Sequence, residues 1–402
     1  MKRIICLLTG ALAGIAIAPQ AFAVPAYARQ TGMACNTCHF QSFPALSEVG
    51  RVFKAGGYTM IGAQQKIEGS EGLSIPATLN AGVVAKIRYQ KSNGPKVVGT
   101  HNTNDGELQF PDEMILMVGG RVSENIGVQL EMDLKRNPVA ANFKMPFIYD
   151  VGGIKAGAIP FTTADQGVAY GFELLNTGAS RGARIMEERA SFSAQQYIGT
   201  GKAAEGIAVV ASNSVFFANI SKWSPRGIGA AGTGSPTASY FRLAFTPKMG
   251  DWDMGVGLQS WSGTATDPAL ALYETKASAV DAQAQGAVGS MPLGIYLTHA
   301  SANASGTTPN LFNSQAKARQ ATTVAGQLGV MPGKATLLMA YRKGDNGKAT
   351  ANGDNSLLVG GTFQVVQNVQ LQLNHEKFSG SAYDGTPADG NRLTTFMLFA
   401  AF

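Results

Sequence analysis

The stretch Val369-Gln370-Leu371-Gln372-Leu373-Asn374-His375 alternates apolar and polar side chains, and Val128-Gln129-Leu130-Glu131-Met132-Asp133-Leu134 repeats the pattern. Successive side chains of a strand point to opposite faces, so each stretch has one face fit for lipid and one fit for water. Phe396, Leu398, Ala400 and the terminal Phe402 form a further alternating set that closes the chain on an aromatic residue.

Outward from these stretches, strand-like segments recur at 77–89, 114–122, 206–220, 240–245, 252–259, 294–299, 335–341 and 357–366. Several are joined by very short connections, such as Ser123-Glu124-Asn125, Pro332-Gly333-Lys334 and Gln367-Asn368, which read as hairpin turns. Longer polar stretches at 90–108, 224–238, 263–290 and 301–316 separate the hairpins. Tight turns alternating with long loops are the rhythm of an outer-membrane barrel. The aromatic end resembles the terminal strand recognised by bacterial outer-membrane assembly machinery. Residues 73–402, at roughly 20 residues per strand and connection, give about 16 strands. The expected fold is mainly β: a transmembrane antiparallel β-barrel of about 16 strands, with a small α-helical N-terminal segment acting as a plug. A soluble sandwich is the competing architecture, but it has little need of so many long glycine-rich loops.

Composition agrees. Charged residues make up 14% of the 402 positions, against roughly 25% in ordinary globular domains. The 49 glycines and a mean hydropathy near zero exclude a greasy helical bundle. Residues 1–23 read as a secretory signal peptide: Lys2 and Arg3 lead an apolar run over 4–18, and Ala21-Phe22-Ala23 supplies the cleavage site. The mature chain then begins at Val24, Cys6 is lost, and removing Lys2 and Arg3 takes the net charge from +6 to +4. That charge is spread thinly, so no nucleic-acid partner is expected.

Two cysteines remain, Cys35 and Cys38, and His39 follows at once. Cys-x-x-Cys-His is the pattern of c-type haem attachment, in which two thiols join the macrocycle and the adjacent histidine becomes an axial iron ligand. A disulfide loop or half of a zinc site are the alternatives, but the isolated His101, His299 and His375 offer no second ligand pair. One covalently bound haem c is therefore expected. Pro44, the Leu46, Val49 and Phe53 spacing and the Gly56-Gly57 stop predict a helix covering one haem face. Met33, Phe40, Phe43 and Tyr58 add apolar surface, and Arg51 and Lys54 are candidates for balancing haem propionates. Met60 is the nearest suitable sixth ligand, with an open position as the alternative; Met33 lies too close to the first thioether, and His101 falls in an expected loop.

Residues 24–72 are too few to enclose a haem and a core of their own. The barrel 73–402 is expected to shelter them. The run Ala28-Arg29-Gln30-Thr31-Gly32-Met33-Ala34-Cys35-Asn36-Thr37-Cys38-His39, then Phe43-Pro44-Ala45-Leu46, Gly50-Arg51-Val52-Phe53-Lys54 and Gly57-Tyr58, resembles the amino-terminal cytochrome segment of the fused outer-membrane cytochrome-porins of iron-oxidising bacteria. The resemblance covers roughly residues 27–60 and implies a ferrous iron oxidase. In that family a monohaem cytochrome fused to a porin-like barrel takes electrons from extracellular ferrous iron and passes them to a periplasmic cytochrome c or other carrier. Cys35 and Cys38 match the attachment cysteines and His39 the proximal ligand; nothing in the barrel carries over. The expected setting is the bacterial outer membrane and its lipid. Competing functions are a haem-plugged porin that senses or gates, a haem oxidase or peroxidase, and a conduit for another donor or for outward electron flow. Asp112, Glu113, Asp345, Asp354, Asp384 and Asp389 lie in or beside expected loops and are hard oxygen donors suited to ferrous iron.

Overall fold

The computed structural model describes residues 26–62, 64–95, 103–135, 140–177, 193–226, 235–384 and 390–402. The signal peptide 1–23, the start at Val24, His101 and Asp389 lie outside them. A closed antiparallel barrel dominates, built from eighteen hydrogen-bonded segments. Two adjacent pairs are halves of single strands: Ala140–Lys144 with Phe147–Val151, both on Ile154–Thr163, and Ala238–Phe245 with Lys248–Met249, both on Trp252–Ser262. Sixteen strands result. The last, Arg392–Ala401, pairs with the first, Ala81–Ser92, with Leu398 opposite Ile87, so the barrel itself closes without a free edge.

Strand faces are inverted relative to a water-soluble protein. Along Ala335–Asp345, Leu337, Met339 and Tyr341 are exposed while Ala340 and Arg342 are buried. Along Val369–Ser379, Gln370, Gln372 and Asn374 point inward and Leu373 outward. Val256, Leu258, Ile295, Leu297, Val324 and Phe396 continue the outward apolar band. Apolar side chains outside and polar ones inside, on a sheet closed upon itself, are what a bilayer demands of a strand-built protein. The chain is an outer-membrane β-barrel.

Several boundaries differ from the sequence expectation. The run 206–220 is two strands, Ala204–Ser212 and Phe216–Pro225, because the Asn213 side chain accepts hydrogen bonds from the N–H groups of Val215 (2.9 Å) and Phe216 (3.0 Å) and turns the chain. The polar stretch 263–290 contains a full strand, Ala277–Val288, whose outward residues are mostly small, Ser278, Ala282 and Ala284 beside Val280. Asp112 and Glu113 lie within the strand Glu107–Arg121 rather than in a loop. The helix near the cysteines begins at Glu48, four residues after Pro44, because Ser47 caps it by accepting from the Gly50 N–H at 3.3 Å.

Among the described residues, at least two parts of the chain enter the lumen. The first carries helices α1 (Ala26–Thr31), α2 (Cys35–Cys38) and α3 (Glu48–Ala55). It touches the wall on several sides. Gln30 Oε1 accepts from Asn80 Nδ2 (2.9 Å) and the Arg121 N–H (3.0 Å), and Gln41 Nε2 donates to the carbonyls of Pro292 and Gln327, each at 3.2 Å. The second is the connection from Ile154–Thr163 to Ala204–Ser212, whose Val168, Phe172, Leu175 and Ile198 are almost wholly withdrawn from solvent. Wall residues facing it, including Asn219, Arg242 and Gln259, are equally inaccessible. The lumen is filled at that level.

Candidate functional site

Cys35 and Cys38 stand one helical turn apart in α2, both as free thiols. Burial pushes both thiols above the ordinary cysteine range, and the neighbouring Cys35 adds to the effect on Cys38. The turn ends as the His39 N–H donates to the Cys35 carbonyl at 2.9 Å. Beyond it the chain doubles back, so that His39 bridges to Leu46 and the Phe40 N–H donates to the Ala45 carbonyl at 2.8 Å. That same carbonyl lies 3.2 Å from His39 Nδ1. A carbonyl on Nδ1 fixes the tautomer that presents Nε2 to a metal and orients the ring.

Helix α3 packs directly on this motif. Ser47 donates through its hydroxyl to the Thr37 carbonyl (2.6 Å) and through its N–H to the Cys38 carbonyl (3.0 Å). Three residues on, a Cβ at Gly50 would stand 2.1 Å from the Cys38 carbonyl oxygen. Only a glycine allows so close an approach.

Motif and barrel wall together line a partly open cavity of about 610 Å³ at the end carrying the short turns 332–334 and 367–368. Cys35, Cys38 and His39 line it with Phe43, Leu46 and Phe53 from the lumenal segment. From the wall come Val84, Ile115, Met117 and Phe399, apolar groups at inward positions that a water-filled lumen would make polar. Phe43 stacks on Phe399 with centroids 4.8 Å apart, and the His39 ring meets Phe43 edge-on at 5.2 Å. Lys86, Glu113, Gln129, Glu131 and Lys144 make another part of the lining polar. An apolar slot with thiols and an oriented imidazole beside it, and with cations elsewhere in the same cavity, suits a flat amphipathic macrocycle bearing acidic substituents. In such a fit Cys35 and Cys38 would hold the vinyl edge and His39 the iron.

The other residues singled out from sequence divide. Lys54, Met33 and Tyr58 line the cavity. Met60 does not; its side chain is partly exposed and its carbonyl accepts from Gln30 Nε2 at 2.7 Å. Met117, from the wall, is a cavity-lining thioether that sequence reasoning passed over. Arg51 is engaged by Asp253 instead of the cavity. The oxygen donors considered for ferrous iron are dispersed: Asp112 pairs with Arg88 at 3.0 Å, Glu113 with Lys86, and Asp354 with Arg342 at 2.8 Å. Among the described residues no three His, Cys, Asp or Glu side chains gather as a metal site.

Sequence reasoning also missed the lumenal connection. Its Asn176, fully buried, accepts the Leu46 N–H on Oδ1 at 2.6 Å and donates from Nδ2 to the Leu46 carbonyl at 2.9 Å. No spacing rule finds this contact, because the partners are 130 positions apart.

No family model matches the chain, and no curated protein matches it. Among solved structures it is similar to OmpF of Salmonella typhi in complex with daunomycin, at 11% identity over 84% of this chain and 100% of that one, with a TM-score of 0.49. A mutant porin of Rh. blastica gives 13% identity, 81% and 100% coverage, and 0.48. A loop-deleted OmpT of Vibrio cholerae gives 12%, 81% and 99%, and 0.46. Likeness at this level adds nothing to what the strand register already establishes.

Proposed function

We propose that this protein is an outer-membrane c-type cytochrome that conducts electrons from extracellular ferrous iron to a periplasmic cytochrome c or another periplasmic carrier. The observation that carries the reading is the convergence of Cys35, Cys38 and a carbonyl-oriented His39 on one cavity inside a membrane barrel. A haem c held in this cavity would supply one-electron chemistry, matched to the single electron that separates ferrous from ferric iron. The protein's own groups do the rest. Cys35 and Cys38 would tether the group against loss, and His39 would hold its iron through Nε2. Phe43, Phe53 and Phe399 would exclude water from the apolar part of the cavity, while its lysines, Lys54, Lys86, Lys144 and Lys334, outnumber Glu113 and Glu131 and so would balance negative charge. Beyond the cavity the lumenal connection packs the barrel, which favours passage of electrons over passage of solutes.

The deciding experiment is expression of the full chain in a cell that matures haem c, purification from the outer membrane, and addition of ferrous iron to the oxidised protein. Prompt appearance of a reduced haem spectrum is expected. Attached haem whose spectrum ferrous iron leaves unchanged points to another donor, and a chain carrying no covalent haem overturns the reading.

A further inference from the structure

We infer that Asn176, on the lumenal connection, is a positioning residue for His39 and thereby sets the reduction potential of the site; the inference rests on the haem reading above. The chain of contacts is short. Asn176 engages both backbone groups of Leu46, at 2.6 and 2.9 Å, as a neighbouring strand would. Gln285 Nε2 adds a donor to the Leu46 carbonyl at 3.2 Å. Leu46 follows Ala45, whose carbonyl faces His39 Nδ1 at 3.2 Å, and Leu46 itself bridges to His39. Holding Leu46 therefore holds the carbonyl that orients the imidazole.

Asn176 is in turn fixed by the barrel. Its own N–H donates to Gln283 Oε1 at 2.8 Å, and the next residue, Thr177, donates through its hydroxyl to Asp281 Oδ1 at 2.8 Å. Three residues before Asn176, Glu173 accepts from Arg242 Nη2 at 3.2 Å and from the Leu175 N–H at 2.9 Å. Arg242 also donates from Nη1 to Asp281 Oδ2 at 2.6 Å. Every residue named in this set except Leu46, Ala45 and His39 belongs to the barrel or its lumenal connection. The barrel thus reaches His39 through two amide side chains, Gln285 and Asn176, of which Asn176 engages both backbone groups of Leu46.

The sign of the effect follows from the histidine. A well-placed carbonyl on Nδ1 makes the imidazole more basic, which favours the ferric state and lowers the potential. Releasing Leu46 leaves that carbonyl held on one side only, by the Phe40 N–H, so it should shift from Nδ1 and the potential should rise. The test uses the full chain with haem attached, as wild type, Asn176→Ala and Asn176→Leu. Leucine keeps the heavy-atom count and the branching of asparagine without its hydrogen bonds, so it decides the matter where the alanine variant fails to assemble. The expected result is retained covalent haem and a ferric–ferrous equilibrium moved about tenfold towards the ferrous form, which is about 59 mV for one electron. Altered g-values in the ferric electron paramagnetic resonance spectrum, reporting a reoriented imidazole, should accompany it. Attached haem with an unchanged or lowered potential overturns the role of Asn176 and leaves the cytochrome reading standing. Absence of covalent haem from the wild-type chain is the separate failure that removes both.

Discussion

Arg51 of α3 donates to Asp253 of the barrel wall at 2.7 Å, with both side chains largely withdrawn from solvent. This pair joins the helix behind the cysteine motif to a strand 202 positions away in sequence. Removing one partner of a buried pair strands the other charge and costs about 3–5 kcal/mol. Asp253→Ala should therefore loosen the lumenal segment without opening the barrel. The check is limited proteolysis: residues 26–62 should become cleavable while the folded barrel still resists unfolding in detergent. Replacing both partners by leucine should restore much of the protection, and equal cleavage of wild type and Asp253→Ala would refute the coupling.

Gly50→Ala should be far more disruptive than an alanine in a helix ordinarily is. The added methyl would stand 2.1 Å from the Cys38 carbonyl oxygen, a backbone atom, so α3 and the cysteine turn must separate. The sequence of consequences is a displaced Ser47, loss of its contacts to Thr37 and Cys38, and a misplaced second thiol. Expected is a large loss of covalently attached haem, read by haem staining after denaturing electrophoresis, in a barrel that still assembles. Wild-type haem content in Gly50→Ala would contradict the packing.

Charge tolerance should differ between the two faces of a strand. Met339 lies near the middle of Ala335–Asp345 and faces outward. Arginine there should cost about 2–4 kcal/mol if the position sits near the bilayer midplane. Arg342, three residues along and facing inward, shows that the other face already carries a cation, paired with Asp354 at 2.8 Å. Equilibrium unfolding of Met339→Arg in lipid vesicles measures the difference; an unchanged midpoint would place this strand outside the bilayer.

How far the sequence could be read depended on the size of the outward residues. Where the lipid face carries Leu371, Leu373, Val128 or Leu130, alternation is plain and the strands are legible. In Ala277–Val288 the outward set is mostly small, Ser278, Ala282 and Ala284 beside Val280, and the inward set includes Asp281, Gln283 and Gln285, so both faces read as mostly polar or small and the strand is hidden. The turn at Asn213 is hidden for the opposite reason, lying within a run that remains apolar on both sides. Cys35, Cys38 and His39 stand out because their chemistry fixes a local spacing. Asn176, Met117 and Phe399 do not, because only the closed barrel brings them beside residues 39–46.

Arg242 should control whether the lumen conducts. It is wholly buried and bonds to Asp281 through Nη1 and to Glu173 through Nη2, so it joins the wall to the lumenal connection. Arg242→Ala leaves two carboxylates facing each other without their cation, and those charges favour either protonation or water. Water can enter only if the connection moves aside, which exposes the inward Asn219, Ser221 and Gln259 as polar positions of a channel wall. In planar bilayers the wild-type chain is therefore expected to give small, steady conductance, and Arg242→Ala larger and fluctuating conductance. The double exchange Glu173→Gln with Asp281→Asn in the Arg242→Ala background removes the stranded charges and should return the current towards the wild-type value. Identical conductance in wild type and Arg242→Ala would mean that the connection stays packed without its arginine, and that apolar contacts such as the 6.0 Å pair of Phe172 and Phe217 are what seat it.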